Sequence, residues 1–70
     1  MNRIGEKLRM LRERHGLRVR KLAEDLGVEH SHISRIERGT KRPSADLILK
    51  MARYFEVTTD QLMKDELEVE

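Results

Sequence analysis

Apolar residues in this chain recur every three or four positions, the period of a helix face rather than of a strand. Ile4, Leu8 and Leu11 predict a first helix over about Asn2–His15. Leu22, Ala23 and Leu26 predict a shorter second one, about Val19–Leu26. Ile33 and Ile36 mark a third, about Glu29–Arg38, and Ile48, Met51, Ala52 and Phe55 a fourth, about Ala45–Phe55. The punctuation agrees. Gly16, Gly27 and Gly39 follow the first three helices, with Leu17 as the hydrophobic contact beyond the first stop. His15 at the end of the first helix suits a C-terminal capping role. Ser44, after Pro43, is a good N-cap for the fourth helix. Thr58 and Gln61 have capping-box spacing for a fifth, about Thr59–Leu67. No stretch alternates as a strand does, and no repeat appears. The expectation is a compact all-α domain of five helices over 1–67. Beyond it, 68–70 is an acidic tail, and the end carrying Glu66, Glu68 and Glu70 is expected to fray.

Composition narrows the chemistry. Seventy residues make one small domain near the limit for a self-sufficient core. With no cysteine there is no disulfide, thiolate metal site or thiol nucleophile. The first ten residues are charged throughout and no apolar run approaches transmembrane length, so a cytoplasmic location is expected, with no membrane partner. The net charge of +2 hides a division. Residues 1–42 carry twelve Lys/Arg against six Asp/Glu, and residues 43–70 carry three against seven. Two readings stay open on charge alone: a polyanion partner for the basic part, or the solvated faces of a highly charged helical protein.

The second and third helices decide more. Two short helices joined by a three-residue turn at a glycine form a helix-turn-helix, here at about 19–38. Steep crossing needs one small contact residue, and Ala23 supplies it. The turn needs a residue that accepts positive φ, and Gly27 does so at little cost. Leu22, Leu26, Val28, Ile33 and Ile36 fill the apolar positions around it. With IGEKLRMLRERHGL at 4–17, KLAEDLGV at 21–28, ISRIERG at 33–39 and RPSADLILKMARYFEVTTDQLM at 42–63, the chain resembles the Cro/phage-repressor (XRE-type) helix-turn-helix family over nearly its whole length.

That resemblance implies a lambda-repressor-like fold and a sequence-specific regulator that binds double-stranded DNA with the second motif helix in the major groove. It places Arg35, Ser31, His30 and Glu29 at base edges. Arg35 leads, because a guanidinium matches the two acceptors of guanine. Phosphate contacts fall to Arg18, the backbone at Val19, Arg20, His32, Arg38, Thr40, Lys41 and Arg42. Arg12 and Glu37 match an ion pair that joins the first helix to the recognition helix. The family often has Ser or Thr where Arg18 stands and Gln where Val19 stands, so a cap and a polar contact are lost here. Glu29 offers an acceptor to cytosine but also faces phosphate.

Leu47, Tyr54, Met63 and Leu67 either complete the monomer core, sit exposed singly, or form a homodimer interface; with the resemblance, the last is expected, for binding a near-palindromic operator. No enzyme, metal, cofactor or small-molecule ligand is expected. His30 and His32 are two apart and diverge on a helix, whereas a metal pair wants a spacing of three or four. Ser31 and Ser34 lie near histidines, but on one exposed helix without a pocket or an orienting third group. The alternative to a DNA-binding regulator is a protein-interaction module, such as an antitoxin or adaptor, whose acidic end grips a partner protein.

Overall fold

The computed structural model describes residues 1–69, and its helices begin and end where side chains and glycines dictate. They are α1 (Ile4–Arg14), α2 (Val19–Leu26), α3 (His30–Glu37), α4 (Ala45–Phe55) and α5 (Thr59–Met63). No strand occurs among the described residues. α2 ends on Gly27 at φ 74°, and the Val28 amide returns to the Ala23 carbonyl at 2.9 Å. This left-handed stop turns the chain sharply into α3. Ser44 Oγ accepts from the Leu47 amide at 3.2 Å. Thr58 and Gln61 exchange the two bonds of a capping box at 2.9 and 2.8 Å.

One apolar core joins all five helices: α3 packs on α2 and α1, α4 on α2 and α5, and α5 on α1. Leu8, Leu22, Ile33, Ile36, Met51 and Leu62 are fully buried. Ile33 and Ile36 anchor α3, each contributing roughly 1.5–3 kcal/mol by leaving water. Ala23 is buried where α2 meets α3.

The sharpest constraint on α3 comes from Gly5. A Cβ on that residue would stand 2.1 Å from the Ile36 carbonyl oxygen. The backbones of α1 and α3 therefore touch, which only a glycine permits.

Three expectations change. α5 stops at Met63 rather than Leu67. The cause is Lys7, fully buried in α1, whose ammonium donates to the carbonyls of Gln61 at 2.6 Å and Lys64 at 2.5 Å. Those carbonyls at the end of α5 thus find a partner without further helix.

The chain then folds back along α1 instead of fraying. Asp65 accepts the amides of Asn2 and Arg3 at 2.8 and 2.9 Å, which holds its carboxyl below the usual range. Arg3 pairs with Glu68 at 3.1 Å, Val69 is buried, and Arg14 donates to the Val69 carbonyl at 3.1 Å. Of the tail at 68–70, then, Glu68 is exposed but ion-paired, Val69 is buried, and Glu70 lies outside the described residues.

Leu47 is 4 % exposed and completes the core, so it offers nothing to a partner. It stands four residues before Met51, on the inward stripe of α4. Leu49, on the outward side, is 42 % exposed in its place.

Candidate nucleic-acid interface

The outward face of α3 follows from its inward one. Burying Ile33 and Ile36 turns the opposite side of the helix to solvent. Glu29, His30, Ser31, Arg35 and Arg38 are all exposed there or at its ends, while His32 and Ser34 are half-buried at its flanks. The helix begins at an extended Glu29 and ends in the turn at Gly39. Thr40 folds that turn back, its amide and its hydroxyl both donating to the Arg35 carbonyl, at 3.0 and 3.2 Å. Lys41 and Arg42 follow, exposed, and Pro43 is buried beneath them. Lys41 and Arg42 also border a cleft of about 100 Å³ beside the start of α1.

The start of α2 is tied to the end of α3 through Arg12, which bonds both the Leu17 carbonyl and Glu37. Arg18 is the extended N-cap residue, and its side chain caps nothing. Arg18 and Arg20 are exposed. Val19 is half-buried and packs against the core, so it offers backbone rather than side chain. No side chain among the described residues caps α2 or α3; the His32 amide turns back to the Glu29 carbonyl at 3.0 Å, and the amides of Val19, Arg20 and Lys21 and of His30 and Ser31 are left to meet an acceptor. Amides at such an end, with cations beside them, suit an anion.

α1 braces the face from behind. Arg12 Nε and Nη2 meet the two carboxylate oxygens of Glu37 at 2.7 and 3.0 Å, and Nη1 donates to the Leu17 carbonyl at 2.9 Å. The carboxylate raises the Arg12 pKa above its ordinary value, chiefly through those hydrogen bonds. The side chains are 14 % and 8 % exposed, so this bidentate pair sits largely out of water.

His15 takes no part in the face. Its Nδ1 lies 2.8 Å from the Leu11 carbonyl and its ring meets Phe55 edge-on at 5.0 Å. Tyr54 is half-buried, its ring edge-on to Phe55 at 4.9 Å. Its hydroxyl donates to Asp25 at 2.6 Å, which lowers the Asp25 pKa and raises that of Tyr54. Met63 and Leu67 are 41 % and 37 % exposed. Sequence reasoning missed Gly5 and Lys7. Gly5 interrupts a helix without a turn to justify it, which is a signal for close backbone approach. Lys7 stands one position before Leu8 at the edge of the apolar stripe, a weak signal for burial.

Two buried-backed helices, a left-handed turn and an exposed polar helix face define a helix-turn-helix domain. The chain belongs to that family: the family model described as "Helix-turn-helix domain" matches residues 3–64. The chain is 32% identical over 65 residues to the HTH-type transcriptional regulator ImmR of Bacillus subtilis, covering 91% of this chain and 51% of that protein. It thus spans about half the length of that relative. The N-terminal DNA binding domain of SinR from Bacillus subtilis superposes with a TM-score of 0.86 at 29% identity, covering 97% of this chain and all of that one. The P22 c2 repressor, solved in complex with synthetic operator 9T, superposes at 0.84 with 27% identity, covering 90% and 96% of the two chains. The fold is therefore that of the lambda-type repressor domains. Among the described residues no helix is long and apolar enough to cross a membrane.

Proposed function

We propose that this domain is the DNA-binding part of a cytoplasmic transcription regulator and that it reads double-stranded DNA through α3 in the major groove. The observation that carries the reading is the exposed face of α3. Arg35, Ser31, His30 and Glu29 lie free on it, between the uncapped start of α2 and the basic turn. Arg35 takes the guanine-reading role, and Ser31, His30 and Glu29 the neighbouring base edges. Arg18, Arg20, the amide at Val19, His32, Arg38, Thr40, Lys41 and Arg42 hold the two backbones and set the register. The likeness to an operator-bound repressor supports this assignment.

Two copies would bind a near-palindromic operator, with half-site centres about one helical turn apart. The large apolar side chains left exposed, Leu49, Met63 and Leu67, are the material for that contact.

Selection of bound duplexes from a random double-stranded library, near physiological salt, tests the reading. Wild type enriches a two-fold symmetric site, and Arg35→Ala relaxes it at the position Arg35 reads. Enrichment of nothing, with only weak salt-sensitive binding, would overturn it and turn the search toward a partner protein.

A further inference from the structure

Beside the recognition helix, on the side where α1 crosses it, lies an open depression of about 300 Å³. Arg9 and Arg12 of α1 line it, with Ser34 and Glu37 of α3 and Arg38 just beyond. The placement follows from the helix crossing. Arg9 stands four residues after Gly5, which touches α3, and three before Arg12, which grips Glu37. Spacings of four and three put all three on the face of α1 turned to α3.

Three guanidiniums surround one carboxylate, so the depression carries excess positive charge. The carboxylate is already committed to Arg12. Arg9 has no comparable commitment. Its only ion pair among the described residues is with Glu13 at 3.2 Å, where both side chains are more than half exposed. Such a pair is worth little and is easily exchanged. Arg38 has no ion pair among the described residues. On α3, Ser34 and Arg38 are one turn apart, and Arg38 is exposed beside Ser31 and Arg35. The mouth of the depression is therefore continuous with the face proposed to enter the groove.

We infer that this depression is a backbone-phosphate site on double-stranded DNA, in which Arg9 of α1 and Arg38 at the end of α3 clasp one phosphodiester and the Ser34 hydroxyl donates to it. This rests on the DNA-binding reading and extends it to α1, which contributes a contact as well as support. Arg12, held by Glu37, fixes the floor of the site. Arg9 swings from Glu13 to the phosphate. The contact carries no sequence information, so it strengthens binding to every duplex alike.

The test is a set of salt titrations by fluorescence anisotropy, on the selected operator and on a scrambled duplex. Wild type runs beside Arg9→Gln, Arg9→Lys, Arg14→Gln and Lys41→Gln. Arg14 reaches the Val69 carbonyl on another side of α1, so its loss removes the same charge without touching the site. Arg9→Gln is expected to flatten the slope of log affinity against log salt by about 0.9 on both duplexes. Its affinity deficit should accordingly shrink about threefold between 50 and 200 mM salt. Arg9→Lys retains the slope, and Arg14→Gln leaves it unchanged. If Arg9→Gln keeps the wild-type slope while Lys41→Gln flattens it, the site is wrong and the DNA reading stands. If Arg14→Gln and Arg9→Gln act equally, only net charge is at work and the site is again wrong. If wild type itself shows no salt-dependent binding, both fall.

Discussion

The five helices treat their N-termini in two ways. α4 and α5 close theirs with their own side chains, through Ser44 and through the Thr58–Gln61 box. The start of α1 has no side-chain cap either, although Asp65 folds over from the far end to accept the amides of Asn2 and Arg3 just before it. α2 and α3, the motif helices, have no side-chain cap, although Ser, Thr, Asn or Asp at position 18 or 29 would supply one. A cap is typically worth about 1 kcal/mol, a sizeable part of a small domain's stability. Leaving two ends open is thus a cost borne by the half of the molecule proposed to meet DNA. The other half offsets it with the capped starts of α4 and α5 and a buried lysine that ties α5 to α1. The contrast separates a scaffold that satisfies its own backbone from a surface that leaves amides for a ligand.

The joint between the halves is where the largest effects are expected. Arg12→Ala leaves Glu37 mostly buried and unpaired, and should cost about 3 kcal/mol or somewhat more. Urea unfolding reads this directly. A loss under about 1 kcal/mol would mean that water replaces the guanidinium and that the joint is softer than its geometry implies. Gly5→Ala is the next in size, at about 1–3 kcal/mol, since the new methyl must push α1 off the Ile36 carbonyl. Because α3 moves with that carbonyl, the discrimination between operator and scrambled duplex should fall further than the lost stability explains. Equal affinity ratios in Gly5→Ala and wild type would show that α2 alone sets the position of α3.

Much of this contrast was legible in the sequence, and the misses are instructive. The helix count, the glycine stops and both side-chain caps follow from periodicity and local chemistry, which need no long-range information. The exposed face of α3 followed from Ile33 and Ile36 alone, because three-residue spacing fixes which side turns outward. Leu47 reads as surplus beside Ile48, yet its four-residue step to Met51 places it inward. The return of the chain to α1 was not legible. It depends on Lys7 meeting α5 and on Asp65 meeting the start of α1, partners separated by more than fifty residues. An acidic run such as 65–68 reads as a solvated end until the positive start of a distant helix is known to lie beside it. Gly5 and Arg9 share that limit, since each acquires its role only from the crossing of α1 with α3.

The capped half yields a smaller, cleaner effect. Ser44→Ala removes the bond to the Leu47 amide and should lower stability by about 1 kcal/mol. Glu29→Ala, at the uncapped start of α3, removes no cap and should change stability by less than half of that. Thermal unfolding of the two variants compares a closed end with an open one. Equal losses would mean that Glu29 stabilises α3 through the helix dipole as much as a hydrogen-bonded cap would.

The smallest change is the one that tests whether the open ends serve binding. Arg18→Ser installs a cap where none exists, and its hydroxyl can accept the Arg20 or Lys21 amide at the start of α2. Stability should rise by about 0.5 kcal/mol. On the proposed reading the same substitution removes a phosphate contact, so the salt slope should flatten by about 0.9 and affinity should fall on all duplexes. The two effects have opposite signs and come from one side chain, which makes them hard to confuse with general damage. A variant that is both more stable and as tightly bound would show that Arg18 never touches phosphate. The uncapped start of α2 would then be a tolerated defect, and the difference between the two halves would rest on the arginines of α1 and α3 and the basic turn alone.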